Sequence, residues 1–216
     1  MKAYNAVSIW GYLCALCIIT GGILLFGFEA AFLHDPVARE QLIMQRPALL
    51  LAWHLFDWII FGFSIALFSF AITARVNHDF SWPETVINLC GFLFASYCIS
   101  VGLVEILAVL TTTQAETENS HYTLQALLLI LHKLRSSTEF SGEIWLILLN
   151  LWLFKHRAVN PITLILGVFT GLLGVLLLFS SFHFLVKYYV LMHFCWFFAI
   201  ATQMLKPPAS VKCHAS

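Results

Sequence analysis

The sequence predicts an all-α protein, a polytopic bundle of transmembrane helices. Three observations carry that prediction. Hydrophobic residues make up 61% of the 216-residue chain and charged residues 10%, against about 45–50% and about 25% in soluble domains. The apolar residues come in runs close to the ~20 residues that a bilayer crossing needs. The polar stretches between them are short, so no water-soluble domain is left over. One integral membrane domain is expected over residues 1–206, with a disordered tail at 207–216. The formal net charge is zero and no basic tract is present. The lipid bilayer is therefore the expected partner, and nucleic acid is not.

The first run, Ala6 to Leu33, outlasts the about 7–15 residues of a signal-peptide core and is read as a retained first span. His34-Asp35-Pro36 breaks it, and a polar connector with Arg39, Glu40 and Arg46 follows. Pro47 opens the second run, where a first helical turn tolerates proline because its missing N–H is not needed. That run reaches Ala74. Ser81-Trp82-Pro83-Glu84 starts the third, which extends to about Leu110. Tyr122 to Leu131 is apolar but short, and His132, Lys133 and Arg135 interrupt it. A short interfacial or re-entrant helix is expected there, before the fourth span. The fourth run covers Phe140 to Phe154.

From Pro161 to Leu205 the chain is almost continuously apolar, too long for one crossing. A break at Ser180 to Lys187 divides it into spans of about Pro161–Phe179 and Phe184–Leu205. Six spans result, or seven if the segment at Tyr122 crosses. Lys and Arg divide almost evenly between the two sides, so charge bias assigns no orientation.

Cys14 and Cys17 form a Cys-x-x-Cys inside the first run. Nothing polar surrounds them, and free cysteine there reads as a small packing residue. Gly167-Val168-Phe169-Thr170-Gly171, with Gly174 a turn later, bares one helix face for close approach. Packing within the protomer is the first reading of that face, and a homo-oligomer contact the second.

Ionisable groups in apolar runs stand out because hydrocarbon rarely tolerates them without a role or a partner. His54 and Asp57 lie at i and i+3, where a carboxylate can orient an imidazole. Glu105, deep in the third run, needs a partner or a proton. His132, Glu143 and His193 complete a candidate polar site of six residues. No His-Glu-x-x-His, no histidine pair at i, i+4, no phosphate loop and no nucleophile elbow is present. The sequence calls for no metal or cofactor, and an enzyme is the less favoured class.

The second half carries Leu131-His132, then Gly142 with Ile144 to Leu149, Lys155-His156-Arg157, and Asn160-Pro161 leading into Leu166-Gly167-Val168 with Gly171. In this order of features it resembles a large family of bacterial membrane proteins defined only as a domain of unknown function. The likeness covers about the last 90 residues. It implies a multi-pass protein of the bacterial inner membrane and transfers no site residues.

Three functional readings remain. The first is a structural, sensory or accessory membrane protein whose polar residues specify packing. The second is a small proton-coupled transporter using His54, Asp57 and Glu105. The third is an intramembrane enzyme or redox protein with a metal or haem centre.

Overall fold

The structure is a computed structural model that describes residues 3–27, 36–76, 81–113, 126–127, 129–130 and 140–205. Every regular element among them is helical. They form α1 (Ala3–Gly27), α2 (Pro36–Gln45), α3 (Pro47–Val76), α4 (Trp82–Thr113), α5 (Phe140–Lys155), α6 (Pro161–Leu177) and α7 (Val186–Met204). Three of them, α1, α3 and α4, are long and apolar enough to cross a membrane.

The helix starts follow local chemistry. Pro47 and Pro161 sit in the first turns of α3 and α6, where their fixed φ suits the helix. Asn160 caps α6, its side chain accepting from the Thr163 N–H at 2.8 Å. At the start of α4, Ser81 and Glu84 have capping-box spacing. The Glu84 carboxylate accepts the Ser81 backbone N–H at 3.1 Å, which satisfies a donor the helix leaves open. It also accepts Trp152 Nε1 of α5 at 3.0 Å. The end of α5 is closed by a left-handed residue, Arg157, at φ 54. The Arg157 N–H donates to Phe154 O and the Ala158 N–H to Leu153 O, each at 2.9 Å, which is the Schellman pattern.

Two features differ from the sequence reading. The polar connector after the first run contains α2. One of its apolar residues, Ile43, is buried against Leu50, Trp53 and Val109. Second, α3 is not a uniform α-helix. Leu55–Ile60 form a π turn, and the Phe61 N–H reaches back five residues to Phe56 O. One added residue rotates everything beyond it by about 100° relative to a regular helix.

Of the expected extra helix at Tyr122 to Leu134, only 126–127 and 129–130 are described, and they are helical. The expected tail, residues 207–216, lies outside the described residues. The break in the last apolar stretch is a 3-10 turn at Ser180–Leu185, where the sequence places it.

The helices pack around a core of Phe68, Trp145, Trp196 and Phe197, with Cys14, Cys17 and Cys98 filling space nearby. The two tryptophans of this core each hold a polar partner. Trp145 Nε1 donates to Ser69 Oγ at 3.0 Å, and Trp196 Nε1 to Asn150 Oδ1 at 2.8 Å. A buried indole N–H without an acceptor loses a hydrogen bond it makes in water. Ser69 in turn donates to Asn88 at 3.1 Å, and Asn88 Nδ2 donates to Thr73 at 2.9 Å. The interior is thus stitched by polar groups, while large apolar residues face outward. On α6, Ile162, Ile165, Phe169 and Leu172 form such an exposed stripe, the arrangement that suits a lipid surround.

The opposite face of α6 carries Gly167, Gly171 and Gly174. A Cβ at Gly167 would collide with Asn150, one at Gly171 with Ile147, and one at Gly174 with Glu143. All three glycines pack against α5 within the protomer.

Candidate functional site

Five of the six candidate residues line one cavity of about 350 Å³ between the helices. His54 and Asp57 come from α3, Glu105 from α4, Glu143 from α5 and His193 from α7. Gly21 and Gly22 of α1 and Gly174 of α6 complete the wall. The sixth candidate, His132, lies outside the described residues.

The pairing differs from the spacing argument. His54 does not take Asp57 as its nearest acid. Its Nε2 lies 3.9 Å from Glu105 Oε2, across the contact between α3 and α4. The His54 ring stacks on Trp53, with centroids 5.3 Å apart and planes 14° apart. Asp57 instead accepts Trp53 Nε1 at 3.1 Å. It lies within the π turn, a feature that in other helices frequently marks functional sites. The carboxylate is laid against Gly21 of α1, where a Cβ would overlap it. Only glycine leaves room for it there.

On the other side of the cavity, Tyr189 donates its hydroxyl to Glu143 Oε1 at 3.1 Å. His193 follows one turn later on α7. Its ring meets Tyr189 edge-on at 5.1 Å and stacks on Phe197 at 5.2 Å. His193 is 6% exposed, and its Nε2 has no hydrogen-bond partner among the described residues. Such an atom retains an unmet capacity that a bound molecule can satisfy.

Aromatic residues supply much of the remaining wall, with Trp58 of the π turn and Tyr97 of α4 meeting edge-on at 6.4 Å. Sequence reasoning missed Trp53, Tyr97 and Tyr189, because an aromatic in an apolar run looks like core. The signal was present in two i, i+4 pairs, Trp53 with Asp57 and Tyr189 with His193, which stack on one helix face.

Among the described residues lining the cavity there are three carboxyl side chains and two imidazoles, and no lysine or arginine. Its charge therefore depends on how many protons the carboxyls and the imidazoles hold. His54 and His193 share the cavity, but no group of three His, Cys, Asp or Glu among the described residues is placed to hold a metal ion.

A second cavity, of about 490 Å³, lies between the start of α4 and the end of α5. Its acid, Glu84, is taken up by the helix cap and by Trp152.

Compared with known proteins, the chain matches no protein-family model, no curated protein and no solved structure.

Proposed function

We propose that this chain is a six-span protein of a bacterial inner membrane that works as a small proton-coupled carrier. The single observation that carries the reading is the convergence of Asp57, Glu105, Glu143, His54 and His193 on one cavity. They come from four helices that are separate in sequence. Packing needs a polar contact here and there. It does not need five ionisable side chains around a space large enough for a solute, because each ionisable group in a membrane interior is expensive.

The six-span arrangement rests on α5, α6 and α7 joining the three longer helices. At 1.5 Å per residue they are about 24–28 Å long, near the ~30 Å of the hydrocarbon core. Each is apolar and buries one face against the bundle.

In this reading the carboxyls exchange a proton for a solute. Asp57, half-buried, faces the cavity from a turn that breaks the regular helix. The His54–Glu105 pair offers a second proton-holding position across α3 and α4. A packing role is the competing reading, and the Trp53–Asp57 and Tyr189–Glu143 bonds favour it.

Proteoliposomes with a trapped pH indicator separate the two. The Asp57→Asn side chain still accepts from Trp53 Nε1 but cannot exchange a proton. With small cationic, neutral and anionic solutes added in turn, wild-type protein is expected to dissipate an imposed pH gradient faster than empty vesicles for at least one of them. Asp57→Asn is expected to slow this at least tenfold. Equal rates for wild type and empty vesicles with every solute would exclude the carrier.

A further inference from the structure

We infer that the groove between the start of α4 and the end of α5 binds one anionic phospholipid. The inference goes beyond the carrier reading and does not rest on it. It concerns the second cavity, which shares no residue with the first.

The wall of this groove is graded along its length. Trp82, Lys155 and His156 line it where the two helices end, and Val86, Leu148 and Leu151 line it further in. Lys155 and Leu148 are seven residues apart on α5, which is about 10 Å at the helical rise. The groove is thus polar at the helix ends and apolar for about 10 Å beyond. A phospholipid headgroup followed by the first part of an acyl chain has the same profile. The volume of about 490 Å³ lies within the ~300–1,000 Å³ of ligand sites. Leu151 is 51% exposed, so the groove opens outward, toward the lipid.

The charge at the mouth selects the headgroup. Lys155, His156 and Arg157 are consecutive and all exposed. Lys155 and Arg157 have no ion pair among the described residues. The acid that lines the groove, Glu84, is 2% exposed, and both of its oxygens are engaged. Oε2 accepts the Ser81 N–H and hydroxyl, and Oε1 accepts Trp152 Nε1. The exposed ionisable side chains lining the mouth are therefore basic. A lysine ammonium binds phosphate as a point charge, and basic pockets between membrane helices take anionic headgroups. A zwitterionic headgroup carries its own ammonium, which Lys155 repels.

Two neighbours fix the geometry of this end. The His156 ring lies against Trp152, with centroids 4.5 Å apart, and its Nδ1 donates to the Trp152 carbonyl at 2.8 Å. Nε2 is the ring atom left to meet a phosphate oxygen, as a donor once the imidazole is protonated. Trp82 is 75% exposed, and indoles of this kind settle at headgroup level, with an apolar body and a polar N–H.

The test uses the full chain in mixed detergent micelles. The probes are phosphatidylglycerol and phosphatidylcholine with the same brominated acyl chains, which quench nearby tryptophans such as Trp82 and Trp152. Wild-type protein is expected to bind phosphatidylglycerol at least fivefold tighter, a comparison that needs no variant to fold. Lys155→Gln combined with His156→Gln is expected to bring the two lipids within twofold of each other. Lys187→Gln, at an exposed lysine that does not line the groove, is expected to leave the preference unchanged. Leu151→Trp, which fills the apolar part, is expected to weaken both lipids several-fold. Each variant is compared at matched melting temperature.

Equal affinity of wild-type protein for the two lipids overturns the inference. So does a preference that survives loss of Lys155 and His156 in folded protein, or one that Lys187→Gln reduces as much, since that is surface charge without a site. Millimolar inorganic phosphate is expected not to displace the lipid. Complete displacement would make the groove a free-anion site and remove the lipid.

Discussion

His54 Nε2 stands 3.9 Å from Glu105 Oε2, with the two side chains 4% and 3% exposed. That contact joins α3 to α4 through two buried side chains. If the contact is energetic, the two residues are coupled. A double-mutant cycle with His54→Ala, Glu105→Ala and the double variant measures it by unfolding in detergent. A coupling of about 1 kcal/mol is expected, within the usual range for contacting residues. Strict additivity would mean the two side chains act separately.

Asn150 and Trp196 give a sharper packing prediction. Asn150 Oδ1 accepts the indole N–H at 2.8 Å, and its amide donates to Leu146 O at 2.7 Å. Asn150→Ala leaves a buried donor unmet and is expected to cost about 1–2 kcal/mol, the upper end for interhelical hydrogen bonds in membranes. Adding Trp196→Phe removes the orphaned donor. The double variant is therefore expected to lose less than the sum of the two single losses. Thermal unfolding of the four proteins checks this.

Gly21 and Gly171 separate the cavity from the packing seam. A Cβ at Gly21 overlaps the Asp57 carboxylate, and one at Gly171 runs into Ile147. Gly21→Ala is expected to reduce flux while shifting the melting temperature little, because a carboxylate beside a cavity can move. Gly171→Leu is expected to destabilise by about 2 kcal/mol or more, since overpacking a closed helix contact has no such outlet. Melting temperatures and flux on both variants test the contrast.

Arg157 occupies a left-handed position at φ 54, which costs a side-chain-bearing residue roughly 1–2 kcal/mol. Arg157→Gly is expected to stabilise the protein by about 0.5–1 kcal/mol once the flexibility of glycine in the unfolded chain is deducted. An unchanged or lower melting temperature would mean that the guanidinium contributes elsewhere.

Much of the helix layout was legible because membranes write it in composition. Pro47, Pro83 and Pro161 mark starts, and charged residues mark ends. The connector before Pro47 hid α2, because a polar ten-residue helix resembles a loop in hydropathy. The ionisable candidates were legible for the same reason as the spans, since His54, Asp57, Glu105 and His193 interrupt apolar runs. Their partners were not. Partner choice depends on rotational phase, and the π turn at Leu55–Ile60 shifts that phase without altering composition. The unmet Nε2 of His193 depends on how separate helices pack around the cavity, which no local pattern encodes.

The central claim is that the cavity acids move protons rather than hold helices together. Glu105→Gln tests it most directly, because the amide keeps the shape of the side chain that faces His54 but cannot carry a proton. The measurement is solute-driven proton flux per folded protein in proteoliposomes, with the melting temperature taken on the same sample. A loss of flux of at least tenfold with the melting temperature held within a few degrees is the expected result. Full flux, whether or not the melting temperature falls, would contradict the carrier and return Glu105 to a packing role.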